Sequence, residues 1–458
     1  MTTTPEAYVH LSTDETTLTF YYDTLRADRN GETWGIREIR DRRRISLLSS
    51  LPAWAGYRHS PSTTVFTAVF DASFHDFCPT TTAGWFYEFK SLKSIEGLEH
   101  LNTSQLTDMG CMFYGCASLT SLDLTSFDTS QVTQMSCMFY GCASLTSLDL
   151  TSFDTSKVKY MDWMFWNCRS LTSLDLTSFD TSQVTSLAAM FSGCESLTSL
   201  DLTSFDTSQV TDMSSMFSDC ESLSALDLSR FDTSKVTDMI DMFSGCESLT
   251  SLDLTSFDTS QVTDMSSMFS DCESLSALDL SRFDTSKVTD MIDMFSGCAS
   301  LTSLDLSRFD TSKVTYMIDM FSGCASLTSL DLSRFDTSKV TRMDKMFRGC
   351  RSLTALDLSS FDTSKVTDMN GMFDGCASLT TLDLSSFGTS KVSNLKEMFS
   401  GCESLTTIYC NTSWSASHSD DMFSGCNSLR GAATNGGNNY DVSMANPETG
   451  YFTKKVLS

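Results

Sequence analysis

A strict internal period of 26 residues limits the folds open to this sequence. Twelve cysteines recur at that spacing without exception, from Cys116 to Cys402. Eleven strict units occupy 119–404, each a version of L-T-S-L-D-L-[ST]-x-F-D-T-S-[KQ]-V-T-x-M-x-x-M-F-x-x-C-x-S. A unit of this length cannot bury a core alone, so the period predicts stacked copies in which every apolar column lies between identical columns.

Two local patterns predict the structure of each unit. Leu122 and Leu124 alternate with polar residues, which is typical of a short strand with one buried face. Val132, Met135 and Met138 follow at helical spacing, and the D-T-S triplet before them supplies capping side chains. We therefore expect an α/β repeat solenoid, a leucine-rich-repeat-like right-handed coil with one short parallel strand and one short helix per unit.

The flanks of the repeats differ in composition and predict caps. Residues 1–91 include an alternating pattern from Val9 to Tyr22, typical of a hairpin, and are predicted to form a β-rich N-terminal cap. The solenoid is predicted at 92–428, with atypical units at 92–118 and 405–428 on either side of the strict ones. Residues 429–458, rich in Gly and Asn, are predicted to form a C-terminal cap, because the open ends of a solenoid core need covering.

The net charge disfavours two classes of partner. The chain of 458 residues has 31 Lys and Arg against 58 Asp and Glu, a net charge of −27 at pH 7. Such acidity disfavours binding to nucleic acid or to anionic membrane surfaces. The basic cluster of Arg37, Arg40, Arg42, Arg43 and Arg44 is interpreted as a solvated or internally paired face. We expect no nucleic-acid partner and no direct membrane insertion, since no apolar run approaches the roughly 18–20 residues that span a bilayer.

The sequence predicts no enzyme. The five His residues share no metal-ligand spacing, and nucleotide-binding, dinucleotide-binding and hydrolase motifs do not occur. An active site needs unequal groups in unequal environments, whereas exact repetition makes environments alike. We therefore expect no catalytic residues, no cofactor and no metal.

Cysteines form two columns. The 26-residue column from Cys116 is interpreted as a row of buried thiols, because a free Cys packs as a small hydrophobe and metal sites need converging thiolates. Cys111 and Cys137 form a second column only two units long, at a position expected to be less buried. A single disulfide between them is a candidate cross-link.

A carboxylate recurs in the predicted strand of every strict unit. Stacking would place these groups about 4.8 Å apart. We expect their mutual repulsion to raise their pKa values and their combined negative charge to attract cations. Two interpretations stay open, a solvated face and a binding strip, while structural calcium is less favoured because the Gly-rich nonapeptide of calcium-binding rolls does not occur. We call these residues the aspartate ladder: Asp123, Asp149, Asp175, Asp201, Asp227, Asp253, Asp279, Asp305, Asp331, Asp357 and Asp383.

Some columns vary between units and are candidates for recognition. Exposed variable positions on a fixed scaffold can encode specificity, although unconstrained drift gives the same pattern. The candidate contact residues of this variable face are Tyr160, Trp163, Arg230, Arg282, Arg308, Tyr316, Arg334 and Arg342.

The repeat resembles a known family. The run from Leu119 to Thr133 (L-T-S-L-D-L-T-S-F-D-T-S-Q-V-T), followed by M-F-Y-G-C-A-S-L from Met138, is similar to the repeat of the BspA-family leucine-rich-repeat surface proteins. The flanking L-T-F-Y-Y-D from Leu18 and N-P-E-T-G-Y-F-T from Asn446 are similar too. The resemblance implies a cell-surface or secreted protein that binds host or neighbouring-cell proteins without catalysis.

Two functions follow as expectations. The first is a non-enzymatic adhesion protein that presents a repetitive face to extracellular macromolecules. The second is an intracellular protein-interaction scaffold in the cytoplasm, which the start of the chain favours, because no signal peptide or anchor is recognised in it. Self-association through the coil ends is a further alternative, and the oligomeric state and the ligand are left open.

Overall fold

The computed structural model describes residues 4–40, 50–57, 62–433 and 439–455. Arg42, Arg43 and Arg44 of the basic cluster therefore lie outside the described residues. The chain divides into two compact units, 1–231 and 232–458.

The first unit begins with a five-stranded sheet. Its strands are β1 (Glu6–Leu11), β2 (Thr17–Asp23), β3 (Glu32–Gly35), β6 (Thr67–Phe70) and β7 (Ser94–Glu96), in the order β3-β1-β2-β6-β7. β1 is antiparallel to β2 and β3, which confirms the predicted hairpin, whereas β6 is parallel to β2 and β7.

Short elements complete this end of the chain. The strands β4 (Ile39–Arg40) and β5 (Leu51–Pro52) pair antiparallel. Three 3-10 helices lie at Arg26–Asp28, Ala72–Asp76 and Leu98–His100.

The second unit ends in a three-stranded parallel sheet. β8 (Thr381–Asp383) and β10 (Phe452–Thr453) flank β9 (Thr407–Tyr409), and a 3-10 helix lies at Val442–Met444. The predicted strand forms in the atypical unit 92–118 as β7 and in the last coils as β8 and β9, whereas the described coils between them run through the same position without ladder pairing.

The predicted helix of each unit is wrong: no α-helix occurs in the described residues. In the coil of Met138, Cys137 and Gly141 have left-handed φ angles of 57° and 70°, which a right-handed helix cannot contain. The segment forms successive turns instead. The N–H groups of Cys137 and Phe139 donate to the next coil at 2.9 Å, and those of Tyr140 and Cys142 donate within their own coil at 3.1 Å.

The stacked apolar columns are confirmed as the core. Within the first unit, Phe113, Phe139 and Phe165 are fully buried, and their rings stack at 5.6 Å within 8° of parallel. The second unit repeats this column from Phe243 to Phe423 at 5.5–5.8 Å. Each coil therefore buries its apolar side chains against its neighbours, as expected of a repeat solenoid.

Buried threonines link neighbouring coils within each unit. Thr129 is 1% exposed; its hydroxyl donates to the carbonyl of Asp154 at 2.9 Å and accepts the N–H of the same residue at 2.8 Å. The equivalent Thr337 bonds in the same way to Asp362 in the second unit. The D-T-S triplet thus joins coils through its Thr, while its Asp accepts the N–H two residues ahead, as Asp128 does from Ser130 at 3.0 Å.

Candidate binding surfaces

The cysteine column is confirmed as buried thiols. Cys142 and Cys168 are fully buried, and each Sγ donates to a Phe carbonyl of the preceding coil at 3.2 Å. Burial raises the pKa of Cys272 and Cys324 to about 12. All 17 cysteines lie in the described part of the chain, and among them only Cys78 is exposed.

The aspartate ladder lies on the surface in both units, but its carboxylates bond locally. Oδ1 of Asp123 accepts the hydroxyl of Thr125 at 2.6 Å and its N–H at 3.0 Å. In the second unit, Oδ1 of Asp305 accepts the N–H of Ser307 at 2.9 Å. Each ladder carboxylate therefore stabilises the turn that follows it.

The expected upward titration of the ladder is wrong. Hydrogen bonds from Thr125 lower the pKa of Asp123, and those from Thr151 lower the pKa of Asp149, although Asp123 acts in the opposite direction on Asp149. Hydrogen-bond donors at 2.6–3.0 Å lower the pKa more than the like charge one coil away raises it. The reason is that both carboxylates are exposed, so water and salt screen the repulsion between them. Among the described residues, no three His, Cys, Asp or Glu side chains could hold a metal ion together.

The arginines of the variable face lie beside the ladder. Arg282, Arg308 and Arg334 are exposed in the second unit, as Arg230 is in the first. The positive charge of Arg334 contributes to lowering the pKa of Asp331, three residues earlier in the same coil. In the second unit these columns of opposite sign form a mixed-charge surface.

The aromatic members of the variable face divide into surface and packed residues. Tyr160 is 48% exposed in the first unit and Tyr316 is 39% exposed in the second. Trp163 packs against a buried cluster that includes Cys111 and Cys137. Arg342 forms a two-point ion pair with the buried Asp344, both N···O distances being 2.9 Å, so its guanidinium group is held within its own coil.

Sequence reasoning missed an aromatic stack in the first unit. Tyr87, Tyr114, Tyr140 and Trp166 stack face to face, with centroid separations of 4.4, 4.2 and 4.2 Å. The signal was available, because these aromatic residues follow one another at spacings of 27 and 26 residues. Tyr140 and Trp166 are half-buried, so the stack contributes to the lateral surface of these coils.

Cys111 and Cys137 lie beside this stack. The expectation that they are less buried is wrong, because they are 1% and 0% exposed. Tyr87, Tyr114, Leu51 and Ala55 enclose them, and both thiols are free. The structure thus brings the two residues together, as the candidate cross-link requires.

The described residues contain no helix long and apolar enough to cross a membrane. Among curated proteins, none matches the chain significantly.

Several solved structures resemble the chain. A leucine-rich repeat protein from Bacteroides ovatus is 16% identical, with 93% of this chain and 92% of that chain covered and a TM-score of 0.41. A leucine rich cell surface protein from Faecalibacterium prausnitzii is 18% identical, with 99% and 97% covered and a TM-score of 0.32. A leucine-rich repeat protein from Leptospira interrogans is 14% identical, with 78% and 85% covered and a TM-score of 0.20.

A family model matches most of the repeats, over residues 80–200, 172–277, 248–330 and 324–436. The resemblance of the repeat to that of the BspA-family leucine-rich-repeat proteins is confirmed. The chain belongs to the family described as Mycoplasma protein of unknown function, DUF285.

Proposed function

We propose that this chain is a non-enzymatic binding protein that presents the repetitive surface of its coils to extracellular proteins. The observation that carries the proposal is the contrast between inner and outer columns. Phe139 and Phe165 are invariant and fully buried, whereas the column of Gln134 changes residue and carries the exposed Tyr160. A fixed scaffold with varied exposed side chains is a design suited to recognition.

The chemistry of the surface favours a protein partner. Tyrosine supplies contact area at low entropic cost and is enriched in protein interfaces. The net charge of −27 favours partners with basic patches, since complementary charge accelerates encounter. The mixed columns around Arg282 and Asp279 offer hydrogen bonds and ion pairs at the rim of such a contact.

Binding is tested with the full chain immobilised and a panel of extracellular-matrix and plasma proteins at micromolar concentration. Measurements at physiological ionic strength with calcium avoid exaggerated surface electrostatics. We expect at least one saturable interaction that Tyr160→Ser or Tyr316→Ser weakens. The matched control is Leu25→Ser, which removes an apolar side chain that is 49% exposed away from the repeats. Failure of the whole panel would contradict the proposal.

Location is tested separately. Protease added to intact native cells is expected to cleave the chain, because an adhesion protein faces the outside. Full protection in intact cells, with cleavage after lysis, would support the intracellular scaffold instead.

A further inference from the structure

Cys111 and Cys137 occupy equivalent positions in neighbouring coils. The N–H of Cys111 donates to Ser136, and that of Cys137 donates to Asp162, both at 2.9 Å, so the two coils are in register here. Their left-handed φ angles of 54° and 57° give both residues the same backbone conformation. Backbone segments joined side by side by hydrogen bonds lie about 4.8 Å apart, within the Cα separation of roughly 4.4–6.8 Å that a disulfide requires.

The thiols of this pair differ from those of the long column. Cys116 and Cys142 each direct Sγ to a Phe carbonyl at 3.2 Å. Cys111 and Cys137 instead pack together in one buried cluster of side chains. Equal exposure to an oxidant would therefore favour reaction within this pair over reaction within the column.

We propose that Cys111 and Cys137 are a modification site, a dithiol that oxidises to a disulfide joining the atypical unit 92–118 to the first strict unit. A low-molecular-weight disulfide such as oxidised glutathione is the oxidant. One cysteine thiolate attacks it, forming a mixed disulfide and releasing one glutathione thiolate. The second cysteine thiolate attacks the cysteine sulfur of that mixed disulfide and releases the other glutathione. The dithiol loses two electrons and two protons, and two molecules of glutathione form.

The surroundings determine when the bond forms. Leu51 and Ala55 of the N-terminal region and the ring of Tyr114 enclose the pair. The neighbouring thiol of Cys111 and burial both raise the pKa of Cys137, so its thiolate is scarce in the folded protein. Oxidation is therefore fast while the coils assemble and slow once they have closed, and the finished disulfide is shielded from reductants.

The test uses the full chain with Cys78→Ser, which removes the exposed thiol. The protein is refolded with reduced and oxidised glutathione, quenched in acid, unfolded and alkylated, and its thiols are counted by mass spectrometry. We expect two of the 16 remaining thiols to resist alkylation and a linked peptide pair containing Cys111 and Cys137. The same protein refolded with reductant is the control and alkylates completely.

Two further measurements make the outcome decisive. Adding Cys137→Ser should abolish the linked pair without creating another, and oxidation of the already folded protein should be at least tenfold slower than oxidation during refolding. Complete alkylation after oxidative refolding would overturn the proposal, as would a link between members of the long column. The thiol count of the Cys78→Ser protein decides the matter even if the additional Cys137→Ser variant does not fold.

Discussion

Replacing the hydroxyl of Thr337 by a methyl group tests how the coils are joined. Thr337 is 1% exposed; its Oγ1 donates to the carbonyl of Asp362 at 3.0 Å and accepts the N–H of Asp362 at 2.8 Å. Valine has almost the same shape, so Thr337→Val removes both bonds without creating a cavity. Two backbone groups in the next coil then lose their partner.

The expected cost follows from these two groups. A buried backbone donor or acceptor left without a partner costs about 1–3 kcal/mol, and the added methyl group returns about 0.8 kcal/mol of apolar burial. We expect a net loss of about 1–5 kcal/mol in the free energy that holds these two coils together. Thr367→Val is the matched control, because its exposed hydroxyl donates to Thr341 at 3.2 Å and water can replace that bond. The control should stay within about 0.5 kcal/mol of wild type.

Hydrogen exchange with mass spectrometry localises the effect, since long repeat arrays need not unfold in two states. The loss predicted for Thr337→Val corresponds to roughly 5- to 4,000-fold faster exchange at the amide of Asp362. The coil 351–376 occurs once in the chain, so its peptides are unambiguous, unlike those of 190–246 and 242–298, which are identical. Thr337→Ser should restore most of the protection. If the amide of Asp362 exchanges in Thr337→Val at the same rate as in the wild type, the reasoning is refuted.

Three further predictions concern thiols, acid and repeat number. The reduced native protein should react with one equivalent of Ellman's reagent, at Cys78, and Cys78→Ser should abolish the reaction; several fast thiols would contradict the buried column. The Asp305 carboxyl should titrate below the unfolded value of about 3.9 by NMR, because the hydrogen bond from Ser307 lowers its pKa. Its stabilising contribution is then complete above about pH 4 and is lost as pH falls through the folded pKa, whereas a higher midpoint would restore the repulsion argument. Deleting residues 301–326, one whole period, should preserve the fold and buried thiols, whereas deleting 301–313 should expose Cys324 to Ellman's reagent.

The interior could be predicted from the sequence because burial repeats with the period. Phe139 and Cys142 recur unchanged, and any stacking of 26-residue units places such columns inside. The helix could not be excluded in this way. Two columns prevent it, those of Cys137 and Gly141. The Cys137 column includes Trp163 and gives no signal for a left-handed backbone, whereas every member of the Gly141 column is Gly, Asn or Asp, which favour that conformation, so this signal was present in the sequence but was not used.

The polar contacts were harder to predict, because one residue type serves two roles. The threonine of D-T-S could cap a helix or bridge two coils, and sequence spacing alone favours the cap. For the aspartate ladder, the predicted rise in pKa took account of the repulsion between carboxylates about 4.8 Å apart. It did not take account of the hydrogen bonds that each carboxylate accepts from the residue two positions ahead. The short contacts between Asp123 and Thr125 decide the sign of the pKa shift.

Separation of inner from outer columns explains how such a chain can change its surface without losing its fold. The side chain of Tyr160 is 48% exposed, while the backbone of the same residue accepts the N–H of Met135 at 3.0 Å. Because the inter-coil bond uses main-chain atoms, residues as different as Gln134, Tyr160 and Ser186 can form the same bridge in the first unit. The second unit shows the same tolerance at Asp290, Tyr316 and Arg342. Variation in this column therefore costs little stability, and a binding surface can be altered one coil at a time.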